Sequence, residues 1–185
     1  MKLYIITGNK HKVAEAKSVF SKFNIEIEQI NDEKQEPKDN TIQEISELNA
    51  KFFFEKYNKP VIVDDTGVFF NAYKEFPGNH PKLMFNLLGY KGLLKLVENE
   101  DRSAQFRTAV TYYDGETFFS AIGELDCMID TKIHDLDVDV LPYERIFLVD
   151  GRPLSKFSRE DKNKISHRAK AFMEIAKKIQ QEQQH

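Results

Sequence analysis

The spacing of apolar positions changes along the chain, and each change marks an element. Leu3–Ile6 is an unbroken apolar run that predicts a buried strand over Lys2–Thr7, closed by a Gly8-Asn9 turn. From Lys10 to Phe23 the spacing becomes helical, with Val13, Ala16, Phe20 and Phe23 on one face and lysines on the other. Ile25, Ile27 and Ile30 predict a second strand. This β-turn-α-β opening is the usual start of an α/β domain. Asn31–Asn40 is a polar, charged loop containing Pro37.

Thr41–Tyr57 predicts a helix whose apolar stripe is Ile42, Ile45, Leu48 and Phe52, with Thr41 and Glu44 at capping-box spacing. Pro60–Val63 predicts a short strand ending in Asp64-Asp65-Thr66-Gly67, and Val68–Tyr73 resumes extended structure. Phe76–Pro81 is a turn, and Lys82–Glu98 predicts one or two helices broken near Gly89. Ala104–Tyr113 and Thr117–Ile129 pair as a hairpin about Asp114-Gly115. Thr131–Asp139 is an exposed acidic loop, and Tyr143–Val149 returns to the core. The last helix starts near Ser158, with Asp161 completing a capping box, bends around Ser166, and reaches a frayed tail at Gln180–His185.

Composition narrows the class. A chain of 185 residues suits a single domain, or two lobes sharing one core. No stretch approaches the roughly 20 apolar residues of a spanning helix, and the apolar start is too short for a signal-peptide core. Cys127 is the only cysteine, which excludes an internal disulfide or a multi-cysteine zinc site. Charge is nearly balanced, 27 Lys+Arg against 30 Asp+Glu, so nucleic acid is not an expected partner. The expectation is a soluble cytoplasmic protein without membrane attachment.

Four segments carry candidate chemistry. Thr7-Gly8-Asn9-Lys10-His11-Lys12 lies between a strand and a helix, where free N–H groups and the helix dipole favour an anion. The segment matches neither a Walker A loop nor a dinucleotide turn. Asp64-Asp65-Thr66-Gly67 places two carboxylates after apolar residues, an arrangement costly to bury without cations or donors and suited to Mg²⁺. Turn-forming aspartates are the plainer reading. Glu36, in Gln35-Glu36-Pro37, matters only if its loop folds over Asp64 and Asp65. Lys162, His167 and Arg168 gather donors for a phosphate or the keto edge of a base, although a solvated basic helix face would look the same. The histidines show no metal-ligand spacing, and no serine or cysteine occupies a nucleophile elbow.

Taken in order, these segments resemble the inosine triphosphate pyrophosphatase family. The motifs are T-G-N-x-x-K at Thr7–Lys12, Gln35-Glu36-Pro37, P-V-I-V-D-D-T-G at Pro60–Gly67, F-P-G at Phe76–Gly78 and K-N-K-I-S-H-R-A-K-A at Lys162–Ala171. The resemblance implies an α/β fold: an elongated mixed sheet with flanking helices, forming two lobes around a central nucleotide cleft, usually in a homodimer. It also implies Mg²⁺-dependent hydrolysis of a deaminated purine nucleoside triphosphate (ITP, dITP or XTP) to monophosphate and pyrophosphate. By motif position Asp65 and Lys12 would be catalytic, and Glu36, Asp64 and Asp65 would hold the metal. Thr7, Gly8, Asn9, Lys12, Thr66, Tyr143, Glu144, Lys162, His167 and Arg168 would bind substrate.

The chain departs from the family where the base should sit. The glycine-rich G-F-G-Y-D-P-x-F loop is replaced by Val140–Phe147, with Leu141 for a stacking phenylalanine, Pro142 for a glycine and Glu144 for the aspartate. The helical lysine that follows N-A in the family has no clean equivalent, Lys51 being nearest. The phosphate half is therefore kept and the base half rebuilt. Two alternatives follow: the same reaction on a different base, or a nucleotide-binding sensor or scaffold without turnover.

Overall fold

A computed structural model describes residues 1–184. Strand β1 (Lys2–Ile6), helix α1 (Lys10–Phe20) and strand β2 (Glu26–Ile30) open the chain, followed by α2 (Ile42–Tyr57), β3 (Val61–Phe70) and β4 (Pro77–Gly78). Helix α3 (Pro81–Leu96), the long strands β5 (Ser103–Tyr113) and β6 (Phe118–Ile129), and the short strands β7 (Phe147–Val149) and β8 (Arg152–Pro153) come next. Helices α4 (Arg159–Ile165) and α5 (His167–Glu182) complete it. The strands form one mixed sheet in the order β2-β1-β3-β5-β6-β7-β8, with β4 beside β3. This is the expected α/β class. Strand β1 runs parallel to both β2 and β3, whereas β4, β7 and β8 join antiparallel.

The chain divides into two compact units. One holds residues 1–66, 108–124 and 166–184; the other holds 67–107 and 125–165. In the first, α1 and α5 bury Val13, Ala16, Phe20, Phe172, Ile175 and Ile179 with Leu3, Ile5 and Ile62 of the sheet. A smaller cluster joins Ile6, Val61 and Val63 to Ala50 and Phe53 of α2. The second unit has its own cluster, including Phe70, Leu93, Phe106, Cys127, Tyr143 and Phe147. Burial pushes the Cys127 thiol up to about 12, so it behaves as a small hydrophobe. Among the described residues no helix is long and apolar enough to cross a membrane.

Most elements follow the apolar pattern. The Thr41 capping box forms, with Thr41 Oγ1 accepting from Glu44 N at 3.2 Å and Glu44 Oε2 accepting from Thr41 N at 2.7 Å. Helix α3 is interrupted at Gly89, whose φ is 59° and ψ −175°. Strands β5 and β6 meet at Asp114-Gly115, where Asp114 Oδ1 accepts from the backbone N–H groups of Glu116 and Thr117.

Three expectations are corrected. The buried face of α2 is not the Ile42-Ile45-Leu48-Phe52 stripe: it runs Ile42, Ile45, Ser46, Asn49, Ala50, Phe53, leaving Leu48 and Phe52 each 37% exposed. Ser46 and Asn49 turn inward because each has a partner there. Ser46 Oγ lies 2.8 Å from Thr111 Oγ1, and Asn49 clamps the backbone of Gln35. Asp64-Asp65-Thr66-Gly67 is not a strand end either, since β3 runs through it without a break. Finally, the chain does not merely bend at Ser166 but stops and restarts. Ser166 caps α5 by accepting from Ala169 N, which puts His167 and Arg168 in its first turn.

Candidate active site

Strand β1 stops at Ile6 while β3 runs on. Their register pairs Tyr4 with Val61 and Ile5 with Ile62, so counting forward sets Thr7 level with Asp64. Asp64 and Asp65 therefore lie where the parallel part of the sheet ends, the usual place for an α/β site. Burying two acids there requires cations, and each acid has its own. Lys12 Nζ lies 2.7 Å from Asp64 Oδ2, and Arg168 Nε lies 3.2 Å from the same oxygen. Lys34 Nζ lies 3.2 Å from Asp65 Oδ1 and donates to the Asp64 carbonyl at 2.5 Å.

The local sequence explains why these groups meet. Asn9 caps α1 by accepting from His11 N at 2.9 Å, and its own N–H donates to Thr7 Oγ1 at 3.1 Å. That turn starts α1 so that Lys12 falls in its first turn, facing β3. A Cβ on Gly8 would come within 2.9 Å of Asn31 Oδ1, a contact that a shift of the Asn31 side chain relieves. Arg168, at the start of α5, is held by Glu15 Oε2 at 3.0 Å; Glu15 also bonds the Ser166 hydroxyl. Beyond Asp65, Thr66 Oγ1 lies 2.8 Å from Thr108 Oγ1, which lies 2.6 Å from His167 Nδ1.

The two acids differ electrostatically. Burial alone would raise the Asp64 carboxyl, but Lys12, Arg168 and Lys34 more than reverse this and hold it well below the usual carboxylate range. Burial raises Asp65 instead, and Lys34 only partly offsets it. Adjacent carboxylates pushed in opposite directions suit different roles: a permanent anion and a proton acceptor. Burial lowers His167 to about 3, assisted by Arg168, so its imidazole is neutral near pH 7. It offers one N–H and no positive charge.

Each acid also keeps one buried oxygen, Asp64 Oδ1 and Asp65 Oδ2, without a hydrogen-bond partner. Successive side chains of a strand point to opposite faces, so the two carboxylates do not converge on one point through β3 alone. Among the described residues no three of His, Cys, Asp and Glu are grouped to hold a metal. Glu36 is exposed and is not gathered with Asp64 and Asp65 as expected; the group the loop delivers is Lys34. The donors present still suit a hard divalent cation. They are the Asp65 carboxylate, with its unpartnered oxygen, and the Asp64 main-chain carbonyl.

The base-side residues lie in the other unit. Tyr143 is 4% exposed and donates to Pro81 O at 2.8 Å, within a ring cluster of Phe70, Phe85 and Phe147. It packs as part of the second unit's core. Glu144 Oε2 accepts from Leu141 N and pairs with Lys162 at 3.1 Å, so the two residues expected to bind nucleotide are engaged with each other. Leu141 is 63% exposed.

Sequence reasoning missed Glu15, Lys34, Asn49 and Thr108. Each acts on a residue distant along the chain, and the only local sign was Lys34 lying beside Gln35-Glu36.

A buried aspartate pair ringed by basic side chains, where the parallel part of a mixed sheet ends, marks this as an α/β protein with a candidate site at that point. The chain matches the Ham1 family over residues 3–178 and belongs to that family. It is 37% identical over 180 residues to the dITP/XTP pyrophosphatase of Saccharolobus solfataricus, covering 95% of this chain and 92% of the relative. The dITP/XTP pyrophosphatase of Thermococcus kodakarensis is 33% identical over 179 residues, covering 95% and 96%. The resemblance read from the motifs is thereby borne out.

Two solved structures share the fold. The Ham1 protein of Staphylococcus aureus has a TM-score of 0.78 at 21% identity and covers 98% of this chain and 100% of its own. A HAM1 protein from Coxiella burnetii has a TM-score of 0.79 at 18% identity, covering 98% and 99%.

Proposed function

We propose that this chain is a nucleoside triphosphate pyrophosphatase of the nucleotide-pool house-cleaning kind. It would convert dITP, ITP or XTP to the monophosphate and pyrophosphate, acting with Mg²⁺ as a cytoplasmic homodimer. The observation that carries the reading is the Asp64–Asp65 pair with its basic ring, in a chain that aligns almost end to end with dITP/XTP pyrophosphatases.

The residues divide the work as follows. Asp64, held by Lys12 and Arg168, is a fixed anion that orients two cations where the parallel part of the sheet ends. Lys12 and the N-terminal end of α1 meet the phosphates. Asp65, raised by burial, takes the proton of the water that attacks the α-phosphorus; the α–β anhydride bond breaks and pyrophosphate leaves. A divalent cation, held by the Asp65 carboxylate and the Asp64 carbonyl, would draw charge from the phosphate oxygens. Arg168 and neutral His167 supply donors that suit the 6-keto group of hypoxanthine or xanthine, where adenine carries an amino group.

One observation favours a second reading of the substrate. With Tyr143 in the core, Glu144 paired to Lys162 and Leu141 exposed, the Val140–Phe147 segment is not the family's aromatic base loop. The same reaction on another base follows from that. A panel of inosine, xanthosine, deoxyinosine and standard triphosphates with Mg²⁺, assayed for pyrophosphate, tests both readings. Preference for the deaminated bases supports the first and a different preference the second. Binding without turnover leaves a nucleotide sensor.

A further inference from the structure

The loop between β2 and α2 reads as free polar chain, yet it is pinned at two points. Asp32 Oδ2 accepts from Lys56 Nζ at 2.6 Å and from the Tyr57 hydroxyl at 2.5 Å. Three residues on, fully buried Asn49 closes a ring on the backbone of Gln35. Its Oδ1 accepts from Gln35 N at 2.8 Å and its Nδ2 donates to Gln35 O at 2.7 Å. Lys34 lies between these anchors, so its position is set by the fold rather than by a wandering side chain. The side chain is 13% exposed. Its ammonium reaches the Asp64 carbonyl at 2.5 Å and Asp65 Oδ1 at 3.2 Å.

Those two oxygens belong to the donor groups named above for a divalent cation, the Asp65 carboxylate and the Asp64 carbonyl. Two positive groups cannot share them at short range in a poorly solvated setting without strong repulsion. Resting on the reaction proposed above, we infer that Lys34 is a built-in competitor for the metal: a tethered ammonium that satisfies Asp65 in the free protein and must leave before a divalent cation binds there. Lys34 thus lowers metal affinity and is a positioning residue for Asp65 whenever the metal is absent. Asp64 keeps Lys12 and Arg168 on its other oxygen throughout, so the exchange is confined to Asp65 and the Asp64 carbonyl.

The test is Mn²⁺ titration without nucleotide, reading free Mn²⁺ by electron paramagnetic resonance, on wild type, Lys34→Gln and Lys34→Arg. Removing a cation in contact with a metal-binding carboxylate should tighten Mn²⁺ binding about tenfold in Lys34→Gln, while Lys34→Arg stays near wild type. Equal or weaker binding by Lys34→Gln overturns the inference, as does an absence of Mn²⁺ binding by all three proteins.

A second measurement needs no variant. Saturating Mg²⁺ should raise the labelling of Lys34 by an amine-directed reagent several-fold over metal-free protein, read by peptide mass spectrometry. Unchanged labelling overturns the inference. Neither readout depends on turnover. Metal-dependent labelling without hydrolysis of any triphosphate removes the proposed reaction and leaves the role of Lys34, whereas hydrolysis with unchanged labelling removes that role alone.

Discussion

Lys12 on α1 and Asp64 on β3 are separated by 52 residues, yet the ammonium lies 2.7 Å from a carboxylate that is fully buried. Lys12→Met leaves Arg168 to pair with that oxygen of Asp64. Breaking one side of a buried pair costs about 3 kcal/mol, and urea unfolding should show a loss of that order. Turnover should fall at least about a hundredfold, since one stabilising charge on the phosphates is lost with it.

Gly123 packs where a side chain cannot. A Cβ there would lie 1.9 Å from His167 O and 2.7 Å from Ala171 N, both main-chain atoms of α5. Gly123→Ala must push α5 away from β6, costing about 2 kcal/mol or more by thermal or urea unfolding. It should also reduce kcat, because Arg168 and His167 travel with the helix.

The corrected face of α2 is equally testable. Ile45→Ala removes a fully buried side chain and should cost about 2–4 kcal/mol. Leu48→Ser, on the half-exposed side, should stay within about 0.5 kcal/mol. Urea midpoints in the reverse order would return the stripe to Ile42-Ile45-Leu48-Phe52.

His167 gives a pH signature. Its folded value is lowered to about 3 from an ordinary 6.5, so the unfolded chain binds a proton that the folded chain refuses. The resulting stability is present above pH 6.5 and is lost progressively as pH falls from there toward 3. Nuclear magnetic resonance of the ring should show a neutral imidazole from pH 5 to 8, within which most histidines titrate. His167→Gln should flatten the acid side of the stability curve.

How far the sequence carried these conclusions depends on the range of the interactions. Strand β1, the Thr41 capping box, the Gly89 break and the Asp114-Gly115 turn follow from neighbouring residues, and all were legible. The motif residues Lys12, Asp64, Asp65 and Arg168 were legible as chemistry, and the structure brings them together. Two things were hidden. Asp64-Asp65-Thr66-Gly67 reads as the end of a strand because isolated acids avoid strand interiors, and only distant Lys12, Lys34 and Arg168 reverse that preference. The Ile42-Ile45-Leu48-Phe52 stripe leaves out Ser46 and Asn49, whose inward partners, Thr111 and Gln35, belong to other segments.

The central claim is that Asp65 takes the proton of the attacking water in a reaction that releases pyrophosphate. Phosphorus magnetic resonance of dITP or XTP incubated with wild type and Asp65→Asn in the presence of Mg²⁺ tests it most directly. Wild type should yield monophosphate and pyrophosphate in equal amounts, and the variant should bind nucleotide but turn over at least about a hundredfold more slowly. Orthophosphate as the product, or undiminished turnover by Asp65→Asn, would contradict it.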